Sequence, residues 1–368
     1  MRAILHTATG AEIRDDVTIR DPEAGEVLVR IVATGVCHSD VSVLEGVIEW
    51  PAPSVLGHEG AGIVEKVGAG VSAVVPGDHV VITTIAACGM CRFCQTGHPN
   101  RCRQTLGNRS TPFSIGDEPV WNFAGASTFA ELTLVKEIQC VTIPKDVPLT
   151  SACLVPCGVV TGAGAVLNRA NILPGQTAAV IGLGGVGLSA VQALRLKGAG
   201  RVVGIDTVPG KFELAGKFGA TDFIKSGKGV DVADEIRTLF PYSEDVKVGV
   251  FGAGGVDWIF ECTGIPAVLE NAIEAMDWGG TMVVVGQPTQ TATATIRIAN
   301  LLQCDRGILG TRAGGVRPHE DIRAIVELYR QGKFDLDALV SKVYPSDGFH
   351  DVLDDMHNGR IARGVIAF

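Results

Sequence analysis

With 368 residues and a formal net charge of −9, the chain has material for two lobes with cores of their own, and its field repels phosphate backbones and anionic headgroups. Neither a nucleic acid nor a membrane is therefore expected as a partner. Charged residues interrupt the amino-terminal stretch MRAILHTATGAEIRDD before an apolar run develops, so no secretory segment or membrane span is expected, and a cytoplasmic location is.

The first part of the chain carries short β-like stretches at 26–33, 61–68 and 78–85, separated by glycine and proline. This predicts a strand-rich lobe with many turns. Beyond residue 170 the pattern alternates. TAAVIGL reads as a buried strand, SAVQALRLKG as a helix, RVVGID as the next strand and FELAGKFGA as another helix, with VDWIFECTG and TMVVVGQ as later strands and a polar helix at 321–332. The fold is therefore predicted to be α/β. Residues 167–308 form a doubly wound nucleotide-binding domain, and 1–166 with 309–368 form a catalytic, zinc-binding domain.

Four of the ten cysteines, Cys88, Cys91, Cys94 and Cys102, follow the pattern C-x2-C-x2-C-x7-C. Without an export segment, metal ligation is favoured over disulfides, and four thiolates close a tetrahedral zinc with no position left for substrate, so this zinc is structural. His98, inside the same loop, is given a surface or hydrogen-bonding role. Cys140, Cys153, Cys262 and Cys304 fit no ligand pattern and are expected to pack. Cys37, His58 and Cys157 are a second donor set that leaves a fourth position open for water or an alcohol, if the fold brings them together. Their separations alone leave open that they are two core thiols and a turn histidine.

The run VIGLGGVGLSA places Gly182, Gly184, Gly185, Val186 and Gly187 between a strand and a helix. The glycines permit a tight turn, a close approach to a pyrophosphate and close helix–strand packing, while the amides at the helix start attract the anion. Asp206 ends the next strand, 19 residues beyond Gly187, where its carboxylate can accept both hydroxyls of an adenosine ribose. It would repel a 2'-phosphate, so NAD is expected over NADP. Lys211 lies within reach of the ribose or opens the following helix.

Together GHEGAGIVEKVG, GDHV, the four-cysteine loop, CGVVTGAGA and GLGGVG, in this order, resemble the zinc-dependent medium-chain dehydrogenase/reductase family, in particular its two-zinc alcohol dehydrogenases. The resemblance runs to the terminal IARGVIAF. It implies a GroES-like catalytic domain with a Rossmann domain, two zinc ions per subunit and a homodimer or tetramer. By the same resemblance Cys37, His58 and Cys157 hold the catalytic zinc, with Glu59 near the metal and Asp40 orienting His58. Ser39 takes the substrate proton, and His38 and Arg363 face the cofactor pyrophosphate. Ser42 stands where many relatives carry a relay histidine, so proton exit uses Ser42, water or the ribose. Thr84 and Ile48 fall near the alcohol pocket, and Thr84 in place of a bulky aromatic residue makes room there.

The implied activity is reversible, NAD-linked, zinc-assisted hydride transfer between an alcohol and a carbonyl compound. Medium-sized or aromatic primary alcohols are the expected substrates. One alternative is oxidation of a thiol adduct of formaldehyde. The other is a catalytically quiet nucleotide-binding or structural protein, which the retained Cys37, Ser39, His58 and Cys157 argue against.

Overall fold

The computed structural model describes residues 1–107, 109–242 and 254–368. The chain divides into two compact units, Met1–Val160 with Val316–Phe368, and Thr161–Gly315. The turns Ala165–Arg169 and Ala313–Gly315 pack on each other, which keeps both segments with the nucleotide-binding unit.

The first unit is strand-rich. Its central strand, Glu26–Gly35, alternates over its first eight residues, burying Val27, Val29 and Ile31 against a core completed by Val64, Val80 and Ile82. It pairs antiparallel with Glu59–Val67, Leu132–Lys136 and Gly364–Ala367, so the last strand of the chain lies beside one of the earliest. Glu59–Val67 in turn pairs with His79–Ile82. The predicted stretch 78–85 ends as a strand at Ile82, and Thr83 and Thr84 lie beyond it. A second sheet of six strands includes the hairpin Ala3–Thr7 with Gly10–Arg14, which the sequence pattern did not single out.

The second unit holds six strands, all parallel, in the spatial order Asp222–Lys225, Arg201–Asp206, Thr177–Ile181, Val256–Glu261, Met276–Val284 and Gly307–Gly310. The order reverses at Thr177–Ile181, the arrangement of a Rossmann domain. Near-continuous burial along Thr177–Ile181 and Arg201–Asp206 follows from covering the sheet on both faces. The predicted helices appear as Gly185–Leu196 and Phe212–Phe218. In the first unit the polar helix is Pro318–Arg330, begun by proline at its first position.

One helical run among the described residues, Leu149–Arg169, is long and apolar enough to cross a membrane, but 83% of its most apolar window is buried inside the protein. Its apolarity is that of a core helix. Five residues of it, Val155–Val159, form a turn of π-helix that carries Cys157.

Candidate active site

Cys37 follows the end of strand Glu26–Gly35 and caps the helix His38–Leu44 in an extended conformation. His58 precedes Glu59, the first residue of the neighbouring strand, and the register pairs Gly35 with Glu59. A Cβ on Gly35 would collide with Glu59 Oε2 and the Leu154 side chain, so any larger residue there displaces the Glu59 carboxylate from its place. The π turn brings Cys157 from a remote part of the chain to the same place. The ligand atoms of Cys37, His58, Glu59 and Cys157 all lie within 4.8 Å of one another.

Asp40 organises this cluster. Completely buried, it accepts the His58 Nδ1 proton through Oδ1 at 3.0 Å, the Gly57 N–H through the same oxygen at 3.1 Å and the Cys37 N–H through Oδ2 at 3.1 Å. A carboxylate only accepts, so the imidazole carries its proton on Nδ1 and its Nε2 lone pair is left for a ligand bond. The Cys37 thiol is held well below its ordinary range, first by a hydrogen bond from Cys157 and against the cost of burial, with the His58 charge contributing. Burial disfavours a charged His58, but Asp40 and then Cys37 outweigh it and lift the imidazole to about 10. The positive charge these groups attract as protons is what a divalent cation supplies in their place. Two thiolates and an oriented imidazole suit zinc with an open position.

Glu59, also fully buried, accepts the Gly158 N–H through Oε1 at 3.2 Å, and its other oxygen pairs with the Arg363 guanidinium. Arg363 is itself buried, so this is an interior ion pair. Ser39 lies in the first turn of the helix with Oγ 3.9 Å from Cys37 Sγ, and His38 is exposed at the helix start. Thr84 is half-buried.

The second metal group is local. Cys88, Cys91, Cys94 and Cys102 place their sulfurs within 4.8 Å of one another, with Cys91 Sγ 3.5 Å and Cys88 Sγ 4.0 Å from Cys94 Sγ. The backbone N–H groups of Cys91 and Met90 pull the Cys88 thiol down to about 6. Four sulfurs with amide support fit a closed tetrahedral zinc. His98 is exposed and outside the group.

In the nucleotide-binding unit, Gly182 takes φ +91° at the end of strand Thr177–Ile181, and Gly184 caps the helix that opens with Gly185, Val186 and Gly187. A Cβ on Gly187 would collide with the Gly182 carbonyl, which is the close helix–strand approach expected of the last glycine. Asp206, nearly buried, accepts from Leu183 N at 2.8 Å and Val208 N at 2.9 Å. Lys211 Nζ reaches its two carboxylate oxygens at 3.2 and 3.0 Å, so the lysine is turned to the strand end.

Residues 23–145 match the alcohol dehydrogenase GroES-like domain and residues 185–331 the zinc-binding dehydrogenase domain. Over 96% of the chain, the sequence is 38% identical to an S-(hydroxymethyl)glutathione dehydrogenase of Escherichia coli O6:K15:H31, 95% of which is covered. The chain belongs to the zinc-dependent medium-chain dehydrogenase/reductase family. This dehydrogenase is also 38% identical to a probable S-(hydroxymethyl)glutathione dehydrogenase 1 of Schizosaccharomyces pombe, covering 96% of this chain and 92% of that one. Among solved structures it is similar to a benzyl alcohol dehydrogenase from Acinetobacter calcoaceticus, with TM-score 0.90 and 34% identity over 100% of this chain and 99% of the other. An alcohol dehydrogenase zinc-binding domain protein from Burkholderia ambifaria matches with TM-score 0.91 and 38% identity over 100% and 98%. The dehydrogenase is thus an oxidoreductase of the zinc-dependent alcohol dehydrogenase type.

Sequence reading missed an aromatic wall beside His58. The Phe123 ring meets the imidazole edge-on at 5.6 Å between centres, and Trp50 meets Phe123 edge-on at 5.1 Å. Ile48 packs in the same apolar cluster. Residues so far apart in the chain carry no joint pattern in the sequence, and only the family position of Ile48 pointed there.

Proposed function

We propose that this dehydrogenase interconverts primary alcohols, aromatic ones in particular, and aldehydes with NAD. The observation that carries the reading is the convergence of Cys37, His58 and Cys157 around a histidine whose tautomer Asp40 sets. When bound there, zinc supplies Lewis acidity that eases loss of an alcohol's hydroxyl proton, and NAD supplies the hydride acceptor. Ser39 Oγ takes that proton, and Ser42, solvent or the cofactor ribose passes it on. Glu59 holds a carboxylate beside the ligands, where it can exchange with them. The amides of the turn Gly182–Gly187 and the side chains of His38 and Arg363 bind pyrophosphate, while Asp206 and Lys211 bind the adenosine ribose. The Asp206 charge favours NAD over NADP. Cys88, Cys91, Cys94 and Cys102 hold a structural zinc.

The wall of Phe123 and Trp50 beside His58 supports an aromatic substrate, as does similarity to a benzyl alcohol dehydrogenase. The 38% relatives favour a second reading, oxidation of a hydroxymethyl-thiol adduct. A homodimer is supported by Ile298 and Leu302, 77% and 76% exposed one helical turn apart just before the edge strand Gly307–Gly310. We also assign the enzyme to the cytoplasm.

NADH formation by the zinc-loaded protein decides between the substrates. The panel is ethanol, longer aliphatic alcohols, benzyl alcohol, and formaldehyde with glutathione. Highest kcat/KM for benzyl alcohol supports the proposal. Turnover confined to the formaldehyde–thiol mixture moves the assignment to the adduct, and NAD binding without any turnover supports a quiet protein.

A further inference from the structure

Gln139 joins two segments that flank the metal-ligand cluster. It closes the short turn Glu137–Gln139 between the strands Leu132–Lys136 and Cys140–Thr142, and it has no solvent exposure. Its Nε2 donates to the Thr83 carbonyl at 3.0 Å and to the Gly125 carbonyl at 3.1 Å. Its Oε1 accepts from Lys136 N at 3.2 Å, and its backbone carbonyl accepts from Thr83 N at 3.0 Å. Two buried carbonyls call for donors and one N–H calls for an acceptor, which a neutral carboxamide supplies and a carboxylate or an apolar side chain does not.

Both carbonyls belong to edges of the site. Thr83 follows Ile82, which the antiparallel register places opposite Gly60, so the chain at Thr83 runs on toward Glu59. The strand His79–Ile82 also packs on the π turn Val155–Val159 that carries Cys157. Gly125 lies in the turn from Phe123 to Ser127, which begins with the ring that meets His58. Ala124, Gly125 and Ser127 in that turn take φ of +52°, +66° and +46°. Alanine and serine disfavour this left-handed region and keep it only where their surroundings hold them. Ser127 Oγ accepts from Phe123 N at 2.8 Å, and Thr133 Oγ1 donates to the Ala126 carbonyl at 2.5 Å. Of these tethers, the Gln139 amide is the one that also reaches Thr83.

We propose that Gln139 is a positioning residue that fixes the Phe123 ring relative to the metal ligands and thereby sets the preference for an aromatic over a small aliphatic alcohol. With no solvent exposure it meets no substrate, so its effect passes through the turn. The inference rests on the aromatic-alcohol reading above and names a determinant of that specificity outside the pocket.

The test measures kcat and KM of the full-length, zinc-loaded enzyme with NAD on benzyl alcohol and ethanol. Wild type is compared with Gln139→Met, Gln139→Asn, Phe123→Leu and the double variant Gln139→Met/Phe123→Leu, with thermal melting and zinc analysis on each. Methionine keeps the bulk of the side chain and loses both hydrogen bonds to the carbonyls. Asparagine keeps the amide on a stem too short to span them, and it tests the same bridge where the methionine variant does not fold. The benzyl-to-ethanol ratio of kcat/KM falls by roughly tenfold in both Gln139 variants, through KM for benzyl alcohol, as expected when a positioning surface shifts by a fraction of an ångström. Zinc content and KM for ethanol, too small to use the wall, stay those of wild type. A role in stability alone lowers Tm and leaves the ratio where it is. Because Gln139 acts through Phe123, Gln139→Met lowers the ratio no further once Phe123→Leu is present. A wild-type preference for benzyl alcohol that survives in a folded Gln139 variant, or losses that add in the double variant, overturn the inference and leave the aromatic-alcohol reading standing. No preference for benzyl alcohol in wild type overturns both.

Discussion

Asp40 Oδ1 accepts the Nδ1 proton of His58 at 3.0 Å from a position with no solvent exposure. The same carboxylate holds the backbone of Gly57 and Cys37, so it sets the direction of two donors and the tautomer of one. Asp40→Asn presents an amide that cannot accept all three hydrogen bonds. We expect zinc affinity at this site to fall by roughly 10- to 100-fold. Metal analysis after mild chelation should then find the cysteine-lobe zinc retained and the other lost. Retention of both at wild-type affinity would remove Asp40 from its orienting role.

The cysteine lobe is expected to act on stability. Cys102 is buried and its sulfur accepts from Cys88 N at 3.5 Å, so Cys102→Ser removes a ligand and a support of the loop together. One zinc per chain should remain, with Tm lower by several degrees, since structural metal binding contributes directly to folding free energy. At a temperature where the variant is folded, KM for the alcohol should stay within about twofold of wild type, as expected for a closed, four-thiolate site. A large change in KM with unchanged Tm would contradict the structural assignment.

Cofactor choice should turn on the pair Asp206 and Lys211, whose charged groups approach to 3.0 Å. Asp206→Ala removes the charge that opposes a 2'-phosphate and releases Lys211 to meet one. We expect kcat/KM for NAD to fall by about tenfold or more and that for NADP to rise, because hydrogen bonds to a charged group contribute about 1.5–3 kcal/mol. The lost contacts to Leu183 N and Val208 N will lower Tm as well, so the NADP-to-NAD ratio is the deciding measurement. A ratio that does not move would sink the assignment.

Acid stability should depend in part on Glu26. Hydrogen bonds from Arg20, at 2.6 and 2.8 Å, hold its carboxyl below the ordinary value of 4.5, against partial burial and with help from Glu23 N. A depressed folded-state pKa means that the stabilisation is fully present above the unfolded value and is lost as pH falls through the folded one. Wild type should therefore lose stability on acidification from pH 5 downward more steeply than Glu26→Gln. Parallel Tm profiles for the two proteins over pH 3–6 would refute this.

Chemistry confined to one turn or one strand–helix junction was determined by the sequence alone. Cys88, Cys91, Cys94 and Cys102 close on one centre because they share a loop of 15 residues. The glycines from Gly182 to Gly187 announce a nucleotide turn because their conformational freedom is needed within a few residues of one another. Strand burial in the Rossmann unit was legible for the same local reason, the continuous apolar runs of a sheet covered on both faces.

Tertiary structure alone decided the rest. Cys37, His58 and Cys157 are separated by long stretches of chain, and their convergence depends on the register that pairs Gly35 with Glu59 and on a π turn at Val155–Val159. The buried pairing of Arg363 with Glu59 requires the last strand to lie beside Glu26–Gly35. Phe123 and Trp50 reach the His58 site through packing of side chains whose positions share no sequence period. Spacing along the chain constrains geometry only over the few residues that the backbone holds rigid. Beyond that, sheet register and close packing bring ligands, proton carriers and pocket walls together.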